Sequence, residues 1–175
     1  MKKTKLYIGC GKDAKRGYVN LDCVKLPNVD VIHNLDEYPW PFEDNRFEII
    51  YCANVLEHLS SIVDPLEEIW RISKNSAKII IKVPISPGIG ASADPTHKQF
   101  YSYFTFTYFT PDDLLNYYSK ARFKIIKRRI IFHQYLKPLT WFFNLNEKIQ
   151  KFHSIFLAFL IPAYTLYCEL EVIKK

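Results

Sequence analysis

Two glycines and a carboxylate are spaced as a ligand-binding loop requires. Gly9, Cys10 and Gly11 follow directly on a short apolar run at 6–8, and Asp22 ends the next such run. Glycine lets the backbone turn sharply and leaves no side chain in the way of a ligand. A carboxylate at the end of the neighbouring strand can accept hydrogen bonds from two ribose hydroxyls. The alternatives are a tight turn without a ligand and a solvated carboxylate.

The spacing of this loop differs from that of a dinucleotide-binding unit. With Ala14 the run matches G-x-G-x-x-A, but the dinucleotide unit spans about 30 residues and has its acid about 20 residues along. Here the first apolar run and Asp22 both fall within the 18 residues 5–22. A full crossover helix does not fit there, so we do not expect a pyrophosphate-binding helix start.

Asp94 and His97, three residues apart, form a second candidate site. They follow a loop rich in Gly, Pro, Ser and Ala at 86–94. The unperturbed pKa of histidine, about 6.5, suits proton transfer near neutral pH. We predict His97 as a general base and Asp94 as a residue that orients it or contacts the substrate. The alternative is that Asp94 begins a turn that His97 caps.

The other histidines and the cysteines carry less chemistry. His58 follows Glu57 and is expected to make a structural hydrogen bond rather than to act in catalysis. No spacing of His, Cys or carboxylate side chains predicts a metal site. The four cysteines contain no CxxC pair, which predicts free thiols and a reducing, cytoplasmic setting.

The segments that position these residues alternate between strand and helix patterns. Near-continuous apolar runs, typical of parallel strands buried on both faces, occur at 6–8, 18–21, 29–32, 47–52 and 78–83. Between the last two, Asp64 has the position of an N-cap and Pro65 that of the first helical residue. Leu66, Ile69 and Trp70 then recur at helical spacing. Strand, helix and strand in succession predict an α/β fold with a parallel sheet.

The second half of the chain reads less regularly. The aromatic-rich segment 100–109 is predicted either to line a pocket or to pack under the preceding loop. A helix is expected from a cap at 110–113 through Tyr118, and strands are expected at 123–132 and 167–173.

A helical insertion at about 135–164 is predicted between the last two strands. Its apolar run 155–161 is expected to be buried, because a segment that is apolar all round usually is. The alternatives for 152–162 are a homodimer contact or a patch that touches a membrane surface.

Five groups of residues together resemble the class I S-adenosylmethionine-dependent methyltransferases, in particular the type 11 domain group. They are 6–11 with 17–22, 34–36 with 39–42, 47–59, 67–74, and 94–98. The resemblance implies a single Rossmann-like domain over 1–175, with a mostly parallel seven-stranded sheet and an antiparallel last strand. It implies a methyltransferase that uses S-adenosyl-L-methionine and acts on a small-molecule or glycan-type acceptor, at an oxygen or nitrogen atom.

The resemblance also implies which residues contact the cofactor. These are Gly9, Cys10 and Gly11 for the methionine part, Asp22 and Cys23 for the ribose, Leu35 and Asp36 for the adenine, and Asn54 near the sulfonium. The sequence departs from the family pattern at four points. The helix after the glycine loop is nearly absent, and few residues precede the first strand, so that the usual N-terminal helices are not expected. Asn34 replaces a more usual aspartate, and Asn75 with Ser76 replaces the common Pro-Gly before the fifth strand.

Composition and charge limit the other functions. Of 175 residues, 49% are hydrophobic and 24% are charged, which excludes a disordered chain. No apolar run approaches the roughly 20 residues of a membrane-spanning helix. The net charge of +6 permits an acidic partner without requiring one. We do not expect nucleic acid as a partner. An RNA methyltransferase is an alternative whose only support is this positive charge. A non-catalytic module that binds a protein partner is the other alternative.

Overall fold

A seven-stranded sheet forms the centre of the protein, whose computed structural model describes residues 3–174. Met1, Lys2 and Lys175 of the predicted domain 1–175 lie outside the described residues. The strands are β1 Lys5–Ile8, β2 Val19–Asp22, β3 Val31–Ile32, β4 Phe47–Ala53, β5 Ser73–Pro84, β6 Phe123–Ile131 and β7 Thr165–Val172. Their order is β3-β2-β1-β4-β5-β7-β6, and β7 runs antiparallel to both its neighbours. The predicted Rossmann-like α/β fold is therefore confirmed.

Helix α1, Val63–Ile72, connects β4 to β5. Leu66, Ile69 and Ile72 are fully buried, and each such side chain contributes about 1.5–3 kcal/mol relative to an exposed one. The predicted Asp64 cap is wrong. The hydroxyl of Ser61 accepts hydrogen bonds from the backbone N–H groups of Val63 and Asp64, so the helix begins before Asp64.

Burial of the strands differs from the prediction. Residues 6–8 and 19–21 are buried throughout, as strands covered on both faces should be, whereas residues 50–53 of β4 and 77–83 of β5 alternate between buried and less buried positions. The connections at 9–18 and 23–30 contain no helix, as the short spacing predicted for the first of them. Side chains rather than a helix cover part of the sheet there: the ammonium of Lys15 lies 5.1 Å from the ring centre of Tyr7 and 4.7 Å from that of Tyr51.

The segment after β5 is mostly irregular. It contains the short helix α2, Ile89–Ser92, and single 3-10 turns at Thr105–Phe109 and Asn116–Tyr118. The helix predicted through Tyr118 is wrong. The carboxylate of Asp113 accepts the N–H of Leu115, and the Asn116 amide donates to two backbone carbonyls, so side chains hold a compact turn instead.

Two further helices lie between β6 and β7, α3 at Lys137–Phe143 and α4 at Glu147–Phe152, and a π-helical turn follows at His153–Leu157. Burial of the run 155–161 was predicted wrongly: Phe156 is 66% exposed and Phe159 87%. Phe143, Gln150 and His153 point inward in place of that run. We call the eight large exposed apolar side chains at 141–160 the insertion surface: Trp141, Phe142, Leu145, Phe152, Ile155, Phe156, Phe159 and Leu160.

Across residues 3–174, no helix has both the length and the apolar character needed to cross a bilayer.

Candidate active site

The glycine loop follows β1 and has two residues in the left-handed region, Gly9 at φ 63° and Gly11 at φ 50°. A Cβ on Gly9 would lie 2.4 Å from a methyl carbon of Val55, so only glycine fits the close approach of these two segments. A Cβ on Gly11 would have no atom within 4 Å. The loop is therefore packed at Gly9 and open at Gly11, where a ligand can approach the backbone.

Asp22, at the end of β2, points into this loop. Its Oδ2 accepts a hydrogen bond from the Gly11 N–H at 2.7 Å, and its Oδ1 accepts one from the Val24 N–H at 3.0 Å. Each carboxylate oxygen keeps a second lone pair for a further donor. The structure thus brings Gly11 and Asp22 together at the tips of two adjacent parallel strands, with a half-buried acceptor suited to a pair of hydroxyls.

The two cysteines assigned to the cofactor differ in exposure. Cys10 is 2% exposed, its N–H donates to the Leu21 carbonyl at 3.0 Å, and burial raises the pKa of its thiol. Cys23, beyond Asp22, is exposed. The Cys10 side chain therefore packs in the core, and only its backbone borders the loop.

Leu35 and Asp36, predicted beside the adenine, are both committed to protein contacts. The carbonyl of Leu35 accepts the indole N–H of Trp40 at 3.1 Å. The carboxylate of Asp36 accepts from the Ser60 N–H at 2.8 Å, the Ser60 hydroxyl at 2.9 Å and the Lys98 ammonium at 3.4 Å. Partial burial opposes ionisation of Asp36, but these hydrogen bonds outweigh it and lower its pKa. Asp36 therefore ties its loop to the segments that carry the second candidate site.

A cavity of about 570 Å³ lies at the carboxyl end of β4. Asn54, the residue after β4, has φ 52° and lies on its wall. The other lining residues are Glu57, His58, Pro84, Gly90, Ala93, Asp94, Pro95, His97, Tyr164 and Thr165. None of the aromatic residues at 100–109 lines it. Four of them are instead buried in the core: Tyr101, Tyr103, Phe106 and Phe109.

His97 lies on the wall of this cavity with a defined ring orientation. Its Nδ1 lies 3.0 Å from the Ala91 carbonyl, and since a carbonyl only accepts, Nδ1 carries the proton. The free nitrogen Nε2 is 3.9 Å from Asp94 Oδ2 and 4.0 Å from Glu57 Oε1. The structure thus places Asp94 and His97 beside each other, as predicted, and adds Glu57.

A hydrogen-bond chain holds His58 next to His97. The Thr96 hydroxyl donates to Asp94 Oδ1 at 2.6 Å, so its oxygen is left to accept from His58 Nδ1 at 2.9 Å. The centres of the two imidazole rings lie 4.8 Å apart, and the ring planes are inclined to each other at 63°. His58 therefore makes the expected structural hydrogen bond and also belongs to the wall of the cavity.

Glu57 is the residue that sequence reasoning missed. It is 1% exposed, and its Oε2 has no hydrogen-bond partner among residues 3–174. Burial raises the pKa of its carboxyl. Its backbone carbonyl accepts from the N–H groups of Lys98 and Gln99 at 2.8 and 3.0 Å, which fixes His97 against it. The sequence signal for Glu57 was a charged residue among the apolar residues of 55–59. The sequence did not show its partner, because His97 lies 40 residues further along the chain.

The strand order, with the antiparallel β7 beside β5, is the architecture of the class I S-adenosylmethionine-dependent methyltransferases. The glycine loop and Asp22 stand at the tips of the adjacent parallel strands β1 and β2. Residues 18–81 match a family described as a methyltransferase domain, and this match implies S-adenosylmethionine as the cofactor. The fold is thus the one predicted, and the family match covers residues 18–81 of it.

A curated relative is similar to this chain over a short stretch. An uncharacterized protein of Methanocaldococcus jannaschii is 49% identical over 43 residues, which make up 25% of this chain and 19% of that protein. The matched segment therefore spans about a fifth of that relative's length.

Solved structures match over nearly the whole chain. An S-adenosylmethionine-dependent methyltransferase from Archaeoglobus fulgidus aligns with a TM-score of 0.63 and 18% identity, covering 95% of this chain and 85% of that one. The YcgJ protein of Bacillus subtilis aligns with a TM-score of 0.62 and 13% identity, covering 98% and 92%. The cyclase SpnF aligns with a TM-score of 0.60 and 12% identity, covering 98% and 75%. At these identities the matches show the fold alone.

Proposed function

We propose that this protein transfers the methyl group of S-adenosylmethionine to a small-molecule or glycan-type acceptor, at an oxygen or nitrogen atom. The observation that carries the proposal is the Asp22 carboxylate held on the Gly11 N–H at the tips of adjacent strands. When bound, S-adenosylmethionine supplies an electrophilic methyl group. Asn54 borders the neighbouring cavity, which supports an acceptor site next to the cofactor site.

The residues of the glycine loop fit such a cofactor. The open space over Gly11 suits the amino-acid part, and the free lone pairs of Asp22 suit the ribose hydroxyls. Leu35 and Asp36 border the adenine in this proposal, with Asp36 acting chiefly through its loop, because its carboxylate is held by Ser60 and Lys98. Holding donor and acceptor in line in a site with little water can supply about 7–11 kcal/mol of the barrier.

Titration calorimetry with S-adenosylmethionine and with S-adenosylhomocysteine tests the proposal. We expect binding by the natural protein, and binding about 10- to 100-fold weaker for Asp22→Ala, since hydrogen bonds to a charged group contribute about 1.5–3 kcal/mol. Asp112→Ala, a change of an exposed aspartate in another loop, is the control and should bind like the natural protein. Absence of binding by folded natural protein would reject methyl transfer and favour a non-catalytic module.

On the acceptor side, we propose that His97 takes the proton of the acceptor and that Asp94 orients it or the acceptor. The support for these two roles is the orientation of the His97 ring, which presents Nε2 rather than Nδ1 to the carboxylates.

The rate of methyl transfer tests the role of His97. A general base contributes about 10²–10⁴-fold to a rate. Turnover is measured as transfer of a tritiated methyl group from S-adenosylmethionine to a panel of nucleotide sugars and lipid-linked sugars. His97→Ala should keep cofactor affinity and lose turnover; unchanged turnover would remove the base role.

The insertion surface supports a proposal about partners and place. Eight large apolar side chains exposed on one segment exceed what a monomer in water usually shows, so we propose contact with a membrane surface, with a homodimer as the alternative. We also propose a cytoplasmic location, which is supported by the four cysteines, all of them described and none in a disulfide.

A further inference from the structure

We propose that Glu57, His58 and His97 bind a divalent first-row transition-metal ion on the wall of the cavity. One ligand atom from each of the three side chains lies within 4.8 Å of the other two. The residues come from two segments, one after β4 and one after α2, and the hydrogen bonds from Lys98 and Gln99 to the Glu57 carbonyl hold these segments together. The cluster is thus part of the fold and does not depend on a chance meeting of surface side chains.

Both imidazoles are held as metal ligands usually are. A ligating histidine normally donates its other ring N–H to a carbonyl or a carboxylate-linked group, which fixes the tautomer and the ring orientation. His97 donates from Nδ1 to the Ala91 carbonyl, and His58 donates from Nδ1 to Thr96, which in turn donates to Asp94. Each ring is left with an unprotonated Nε2 as its available ligand atom.

Glu57 supplies an independent reason for a cation at this place. Its side chain is 1% exposed, Oε2 has no partner among the described residues, and Oε1 is 4.0 Å from His97 Nε2. A buried carboxylate oxygen without a hydrogen bond is costly. A bound cation satisfies this carboxylate.

The donor set indicates the class of metal. Two imidazoles and one carboxylate suit Zn²⁺, Fe²⁺, Co²⁺ or Mn²⁺, whereas Mg²⁺ and Ca²⁺ prefer oxygen ligands throughout. With metal–ligand bonds of about 2.1 Å, tetrahedral ligand atoms lie about 3.4 Å apart. The Glu57–His97 separation of 4.0 Å must therefore shorten by about 0.6 Å, and a separation at the 4.8 Å limit of the cluster by about 1.4 Å, which side-chain rotations can supply. Three protein ligands leave a coordination position open to the cavity, as catalytic sites require.

The role of the ion, unlike its binding, rests on the proposed function. An acceptor hydroxyl bound at the open position has a lowered pKa, because the ion withdraws electron density from its oxygen. The hydroxyl proton leaves to solvent, the oxygen–carbon bond forms, and the sulfur–methyl bond breaks to give S-adenosylhomocysteine. With the ion bound, His97 Nε2 is a ligand and activation of the acceptor passes from His97 to the ion. The proposed metal site therefore narrows the acceptor of the proposed function to a compound with a hydroxyl group.

Cobalt titration of the purified, tag-free and chelator-treated protein tests the site. We expect one Co²⁺ per chain with a visible absorption spectrum of a nitrogen- and oxygen-bound ion, displaced by Zn²⁺. His58→Ala and His97→Ala should each weaken binding by about 10- to 100-fold or more. Thr96→Val, which removes the hydroxyl that joins the His58 ring to Asp94 but leaves all three ligands, should weaken it by about 10-fold. His33→Ala and His133→Ala, which change a half-buried and an exposed histidine outside the cluster, are the matched controls.

Two results would overturn the proposal. One is a folded natural protein that binds neither Co²⁺ nor Zn²⁺; the other is binding that the control variants reduce as much as the cluster variants do. Circular dichroism checks that each variant is folded. If a histidine variant does not fold, Thr96→Val takes its place in the test. Calorimetry with S-adenosylmethionine runs on the same metal-free protein. Metal binding without cofactor binding rejects the proposed methyl transfer alone, and the reverse result rejects the metal site alone.

Discussion

At the residue scale, the two loop glycines have different tasks although both have positive φ. Gly9 is needed because Val55 leaves no room for a Cβ, while Gly11 is surrounded by open space and faces the Asp22 carboxylate. The loop is therefore anchored to the protein at its first glycine and exposes its backbone at the second. This division explains how a loop without a following helix keeps a defined shape.

Alanine substitutions separate these two tasks. Gly9→Ala should lower the free energy of unfolding by about 3 kcal/mol or more, since left-handed strain of about 1–2 kcal/mol adds to overpacking of about 1–3 kcal/mol against Val55. Gly11→Ala should lower the free energy of unfolding only by the left-handed strain of about 1–2 kcal/mol, and it should also weaken S-adenosylmethionine binding. Urea denaturation and calorimetry measure the two effects. Equal destabilisation by both variants would contradict the assignment.

At the scale of elements, one arginine links α1 to the loop after β3. Arg71 donates to Glu68 within the helix and also to the backbone carbonyls of Trp40 and Phe42. The carboxylate of Glu68 in turn accepts the Trp40 N–H at 2.7 Å. Because Trp40 also bonds to Leu35, this network connects the helix to the segment proposed to border the adenine.

Replacement of Arg71 tests that network. Arg71→Met should lower the free energy of unfolding by about 2–3 kcal/mol, because Glu68 loses its cation and two backbone carbonyls lose their donor. Arg71→Lys should recover only part of this loss, since an ammonium cannot reproduce the fork of a guanidinium. Thermal and urea unfolding measure both variants. Full recovery by Arg71→Lys would show that charge alone matters there.

Pairing of β5 with β7 carries a pH-dependent contribution. The ammonium of Lys78 lies 2.6 Å from Glu169, whose side chain is 13% exposed and also accepts from Tyr167. The hydrogen bond from Lys78, followed by that from Tyr167, lowers the pKa of Glu169. A carboxyl with a lowered folded pKa stabilises the fold above its ordinary pKa, and this contribution is lost as the pH falls through the lowered value.

Glu169→Gln should therefore matter at neutral pH and not in acid. We expect a loss of about 0.5–1 kcal/mol at pH 7, because Lys78 is half-exposed and water screens the pair. The difference from the natural protein should shrink as the pH falls below about 4. Urea denaturation at the two pH values measures it, and a difference that grows in acid would refute the assignment.

At the scale of the whole molecule, the segment that carries the insertion surface ends at the wall of the cavity. Tyr164, which ends the insertion, lines the cavity and is itself 43% exposed. Lys137, Lys148 and Lys151 lie on the same segment and are exposed. Apolar side chains flanked by lysines favour a surface of anionic lipid. An acceptor attached to a lipid could then reach the cavity without leaving the membrane.

Flotation with anionic vesicles tests this arrangement. The natural protein should float with the vesicles, and Phe159→Ser with Leu160→Ser should reduce flotation by removing two of the most exposed apolar side chains. Leu114→Ser is the matched control, because Leu114 is 91% exposed and lies outside the insertion. Sedimentation as a dimer without flotation would instead support the homodimer alternative.

Features that depend on neighbouring residues were predictable from the sequence. The strand runs, the glycine loop, Asp22 at the end of β2 and the turn that joins Asp94 to His97 follow from short-range patterns, because turns and extended runs are governed by local backbone preferences. Errors at this level concerned helix ends. Ser61 replaced Asp64 at the start of α1, and side-chain hydrogen bonds replaced a helix near Asn116, since such bonds compete directly with helical ones.

The sequence by itself determined the class of the domain and the residues at the strand tips, because parallel strands place their carboxyl ends at one edge whatever the loops do. Only the tertiary structure decided that Glu57 and His58 meet His97, that Asp36 is held by Ser60 and Lys98, and that the run 155–161 is exposed. Contacts between segments tens of residues apart depend on how the whole chain packs. Burial of an apolar run likewise depends on the space left in the core, which no local pattern contains.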